Sequence, residues 1–199
     1  HVFCGLKAFC RLKSLMKAAF ALALLLLVGG CVQPRPERPE TPAQAVGAGS
    51  MKLKVDNFNP GDSIPSMYTC DGSDERPDFS WSEAPEGTRS FAVSVIDYDV
   101  PKRARADGIW VHWLVKDIPA GVSEIRGTAA LPAGAEEVAN DFGKPGWGGP
   151  CPPDKRHDYY FRVYALKVEK LEGVTKENFH GKAKENALAI AEVVASYER

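Results

Sequence analysis

Three stretches constrain what this chain can fold into more than anything else in it. Residues Ser90–Asp97 (SFAVSVID), 109–118 (IWVHWLVKDI) and 159–169 (YYFRVYALKVE) place β-branched and aromatic side chains on both faces. Such runs read as strands of a sheet covered on both sides. Between them lie loops rich in proline and glycine, notably 141–154. Residues 51–58 instead alternate Leu53 and Val55 with Lys52, Lys54 and Asp56, a strand with one wet face. The end of the chain differs. Residues 175–199 lack proline, and Ala187, Ile190, Ala191, Val194 and Tyr197 recur at helical spacing. That spacing predicts a closing helix, with Thr175 capping a first short helix and Gly181 breaking it from the next. Strands first and helices last predict a mainly β protein, an antiparallel two-sheet sandwich with short peripheral helices and a C-terminal helix.

The first fifty residues do not belong to that domain. Residues 18–28 (AAFALALLLLV) form an apolar run preceded by Lys17 and followed by Gly29, Gly30 and Cys31. The run is about half the ~20 residues that a spanning helix needs. Basic residues, a short apolar core and small residues before a cut are the layout of a secretory signal. Residues 28–31 (VGGC) are similar to the lipobox of bacterial lipoproteins, whose cysteine is lipidated; a plain signal peptide or an uncleaved anchor is the alternative. Met16-Lys17 begins a compact signal over 16–30, so residues 1–15, with Cys4 and Cys10, are expected to precede the true start. Residues 31–50 carry Pro34, Pro36, Pro39 and Pro42 without apolar periodicity, as a semi-extended tether does. This leaves 51–199 as the folded domain, large enough for one sizeable core.

Charge follows the same division. The whole chain has a formal net charge of −1, but residues 1–30 hold four basic residues (Lys7, Arg11, Lys13, Lys17) and no acid. Neither the balanced whole nor the acidic remainder suits a protein that neutralises nucleic-acid phosphates.

Within the domain, His112 and His157 sit inside the strongest strand patterns. Strand side chains alternate faces, so Trp110 shares a face with His112, and His157 with Tyr159. Asp97 closes one strand and opens the acidic turn Asp97-Tyr98-Asp99-Val100-Pro101. The loop Gly146-Trp147-Gly148-Gly149-Pro150 precedes His157, and its N–H groups are candidates for an anion-binding concavity. Each feature alone has a plainer reading: a hydrogen-bonded core histidine, a turn-capping aspartate, an ordinary loop.

Together the strings are more specific. YTCDG (68–72), RPDFSW (76–81), DYDVP (97–101), WVHW (110–113), NDFGKPGWGGPCPP (140–153) and His157-Asp158-Tyr159 occur in one order. They resemble the phosphatidylethanolamine-binding protein family, in its bacterial YbhB/YbcL-type, Raf kinase inhibitor-like branch, from about Met51 to Arg199. The resemblance implies a large antiparallel sheet packed on a smaller one, and a shallow pocket for anions and phosphorylated head groups. Carried over by motif, the pocket uses Asp97, Trp110, His112, Gly149, Pro150, His157 and Tyr159, supported by Asp99 and Pro101. No cofactor, metal or catalytic residue is implied. Two positions depart from the family pattern: Tyr98 stands where a proline is usual, and Asp158 replaces an arginine. The second removes a cation able to pair with Asp99, a role that Arg156 shares the parity to fill.

Cys151 lies near His157 in sequence and has the makings of a nucleophile beside its base. Cys70 and Cys151 are, however, an even pair in an exported domain, where a disulfide is the alternative; reducing conditions would leave both as thiols. The expected function is a lipid-anchored, non-catalytic binding protein of the bacterial cell envelope for a small anionic or phosphorylated ligand. The alternative is a protein-interaction module inhibiting a protease or kinase through the same region. If protonated His112 or His157 holds a phosphate, affinity rises as pH falls through about 6.5.

Overall fold

The computed structural model describes residues 51–199; the signal, Cys31 and the tether lie outside the described residues. Two antiparallel sheets make up the domain. The larger, in order β6-β4-β3-β7-β8, is built from β3 (Ser90–Asp97), β4 (Trp110–Pro119), β6 (Glu136–Glu137), β7 (His157–Leu166) and β8 (Ala187–Tyr197). The smaller, in order β1-β2-β5, comprises β1 (Lys52–Val55), β2 (Phe79–Ser82) and β5 (Glu124–Ile125). The continuously apolar strands β3, β4 and β7 are neighbours at the centre of the large sheet. One face meets the small sheet in a core where Phe91, Val93, Val95, Trp113, Phe161 and Val163 lie against Val55, Phe79, Trp81 and Ile125. The other face carries a second core of Ala92, Val111, Leu114, Tyr164 and Leu166 beneath Phe179 and Ala183 of the helix α1 (Phe179–Asn186). Two covered faces explain why these strands lack polar alternation. Among the described residues no helix is long and apolar enough to cross a membrane.

The closing element is a correction. Residues Ala187–Tyr197 form an edge strand paired antiparallel along β7, from His157 opposite Tyr197 to Leu166 opposite Ala187. Alanine and valine fill both periodicities here, since Ala189, Ala191, Val193 and Ala195 also alternate and are buried towards the small sheet. Pairing with the otherwise open edge of β7 decides between them, tertiary contact overriding helix propensity. The helix that does form is short. Thr175 does not begin it; Thr175 N–H bonds to the Asn178 side chain, the helix starts at Phe179, and Gly181 lies inside it.

Candidate functional site

The site is at the end of the large sheet where β3 finishes and β7 begins. Asp97 pairs with Trp110 of β4 on one side and with Tyr159 of β7 on the other. These three residues therefore lie abreast on the face towards the small sheet. His112 reaches the same region through a β-bulge. Val95 is opposite Trp113 and Ile96 opposite Val111, which leaves His112 as the extra residue of β4. A bulge re-aims side chains, so Trp110, His112 and Trp113 do not follow strict alternation. The His112 ring packs edge-on against Tyr159, centroids 5.2 Å apart.

His157 is buried and engaged on both nitrogens. Nδ1 lies 2.7 Å from Asp97 Oδ2 and Nε2 lies 3.1 Å from Asp154 Oδ1. With both carboxylates ionised, both ring nitrogens carry N–H groups that donate and the ring is an imidazolium. Burial opposes the charge, but Asp97 and then Asp154 outweigh it and raise the His157 pKa. Burial likewise pushes the Asp97 carboxyl up, while His157 and the Asp99 N–H, donating to Oδ1 at 2.7 Å, pull it back. Asp99 in turn receives the Asp158 N–H on Oδ2 at 3.0 Å. Arg156 Nε stands 3.8 Å from Asp158 Oδ1 at the exposed surface, so this arginine faces Asp158. Pro101 starts the turn after this cluster, its carbonyl accepting from Ala104 and Arg105.

His112 has the opposite character. Its Nδ1 lies 2.6 Å from the Gly148 carbonyl, which only accepts, so the proton is on Nδ1. Burial lowers its pKa to about 4, against the Gly148 and Gly149 carbonyls and Asp141, which favour the cation. At neutral pH the ring is uncharged and Nε2 is an acceptor. The His112 ring is thus neutral at neutral pH and does not itself titrate near 6.5, while both nitrogens of His157 face carboxylates. Tyr159 is fully buried, and its hydroxyl finds no hydrogen-bond partner among the described residues. Burial, with Asp97 and Asp99 nearby, holds that phenol far above the usual tyrosine range.

The glycine loop supports the site in a way the sequence did not show. The Gly149 N–H donates to Asp74 Oδ1 at 2.8 Å, and Pro150, which has no N–H, offers its carbonyl to Cys70 N at 3.1 Å. Neither residue therefore supplies a free N–H to an anion-binding concavity. A Cβ on Gly149 would stand 2.2 Å from the Tyr68 carbonyl oxygen, so only glycine fits. Cys70 and Cys151 are joined in a disulfide, which binds the loop to the segment after the turn Ser66–Tyr68. Buried Asn140 bridges the loop to β4, donating to the carbonyls of His112 (2.9 Å) and Gly146 (2.8 Å). Phe142 stands edge-on to Trp110 and His112, yet is 41% exposed. Sequence reasoning missed Phe142, Asp154, Asp74 and Asn140, whose partners are set by loop geometry. Tyr98, in its turn, stacks edge-on with Tyr160 and accepts from Arg162 Nη1 at 2.8 Å. An aromatic–arginine contact thus occupies the position of Tyr98.

A two-sheet β protein with an Asp/His/Tyr cluster at one end of its larger sheet is the class these observations define. The family described as phosphatidylethanolamine-binding protein matches residues 54–198. The Escherichia coli protein YbcL is 41% identical over 146 residues, covering 67% of this chain and 76% of its own length. A protein of Aquifex aeolicus is 37% identical over 163 residues, 78% of this chain and 92% of its own. Among solved structures, a phosphatidylethanolamine-binding protein homologue of Chlamydia trachomatis superposes with a TM-score of 0.69 at 38% identity. It is matched over 75% of this chain and 97% of that one. The YbcL structure gives 0.68, over 75% and 98%. The chain belongs to the phosphatidylethanolamine-binding protein family.

Proposed function

We propose that this protein is a non-catalytic binding protein of the bacterial cell envelope, held to a membrane by a lipidated Cys31. Its ligand is small and anionic or phosphorylated, and its pocket is the cluster of Asp97, Trp110, His112, His157 and Tyr159. One observation carries the reading: the Tyr159 hydroxyl is buried without a partner among the described residues, beside the neutral ring of His112. An unsatisfied buried hydroxyl costs roughly 1–3 kcal/mol, and a ligand oxygen that accepts from it recovers that cost. The family supports the assignment, and the half-buried Trp110 offers an apolar wall. A covalent step through Cys151 has no support, because its sulfur is bonded to Cys70 and supplies no thiolate.

Calorimetric titration with inorganic phosphate and with phosphoethanolamine tests the pocket. Saturable binding by the wild type, weakened about tenfold or more in Tyr159→Phe, is the expected result. Absence of saturable binding of either compound contradicts the reading.

A further inference from the structure

The hydrogen-bonding inventory of the cluster says what kind of oxyanion it takes. Its buried cation is spoken for: His157 donates to Asp97 at 2.7 Å and to Asp154 at 3.1 Å. The Gly149 N–H of the glycine loop is spoken for as well, going to Asp74 Oδ1. His112 Nδ1–H is committed to the Gly148 carbonyl at 2.6 Å, leaving the ring a lone pair on Nε2. The Tyr159 hydroxyl, in ring contact with His112, is unpartnered and able to donate. His112 and Tyr159 together therefore offer a ligand one acceptor and one donor. A fully deprotonated oxyanion has only acceptors, and it would set one of them against the His112 lone pair.

The charges point the same way. Asp97 and Asp154 hold His157, Asp99 lies behind Asp97, and Arg103 Nη2, 3.4 Å from Asp154, sits at the exposed edge. Around the His112 ring itself the charged groups are Asp141 and His157, with Tyr159 in contact. Burial keeps that ring neutral at physiological pH, so it does not become the donor that a bare dianion requires.

Resting on the pocket reading above, we infer that the site takes its oxyanion with a proton still attached, as hydrogen phosphate or a singly ionised phosphate monoester. The ligand's P–OH donates to His112 Nε2, and a second ligand oxygen accepts from Tyr159. The same rule rejects sulfate, which matches phosphate in shape but carries no proton at neutral pH, and phosphodiesters lacking a donor of their own.

Direct titration of the full chain at pH 7 with inorganic phosphate, sulfate and dimethyl phosphate separates the cases. The expected result is phosphate binding at least tenfold tighter than either competitor. With methyl phosphate, affinity rises several-fold from pH 7.5 to 6.5, following the ligand's second ionisation near 6. Sulfate or dimethyl phosphate binding as tightly as phosphate overturns the inference and leaves the pocket standing. Failure of phosphate itself to bind overturns the pocket reading, and this inference with it.

Discussion

His112 and His157, both buried in the strands that flank β3 in one sheet, occupy opposite protonation states because their partners differ in kind. His112 faces a carbonyl and hydrophobic rings; His157 faces two carboxylates. Titration followed by imidazole NMR is expected to place His112 near pH 4 and His157 above its ordinary value of about 6.5. His112 titrating at or above 6.5 contradicts the account. The linkage has a definite sign. The folded His112 pKa is depressed, so its contribution is present above about pH 6.5 and lost as pH falls towards 4, on the order of 3 kcal/mol in full. For His157 the folded pKa is raised, so its contribution is present below about 6.5 and lost as pH rises through the folded value. Chemical denaturation across pH in the wild type and in His112→Leu isolates the first effect: the acid-side loss shrinks in the variant. An unchanged slope contradicts it.

At the scale of elements, the strand nature of β8 sets a clear expectation. Val193 is buried against the small sheet, whereas Val194 is only partly covered on the other face. Val193→Lys is expected to destabilise by about 3 kcal/mol or more, and Val194→Lys by within about 1. Equal penalties in denaturant melts contradict that alternation. Gly149→Ala is expected to cost on the order of 1–3 kcal/mol, because backbone of the 68–69 segment occupies the Cβ position. A melt indistinguishable from wild type contradicts that close approach. The central strands were legible in the sequence because burial on both faces leaves an unambiguous apolar run. The His–aromatic faces were legible from strand parity, except where the bulge at His112 breaks it. The closing strand was not, since Ala189 to Ala195 satisfy periods of 2 and 3.6 alike and only the free edge of β7 chooses. Nor were Asp154 and Asp74, whose roles depend on how loops return to the sheet.

At the scale of the molecule, the described domain is a two-sheet unit that carries the proposed pocket. The Cys70–Cys151 bond spans 81 residues and closes a loop containing β2, β3, β4, β5, β6 and the glycine segment. Such a closure contributes about 2–5 kcal/mol, so reduction is expected to lower the unfolding midpoint clearly; an unchanged midpoint contradicts the bond's role. Anchoring is tested by fractionation of expressing cells, with the wild type expected in the membrane fraction and Cys31→Ser in the soluble one. Wild type and Cys31→Ser fractionating alike contradicts the tether. The central claim, however, is the pocket. A crystal structure of the protein grown in inorganic phosphate tests it most directly. The account predicts tetrahedral density within hydrogen-bond reach of both His112 Nε2 and the Tyr159 hydroxyl. A clear map with phosphate bound elsewhere, or with that position empty at saturating phosphate, contradicts it.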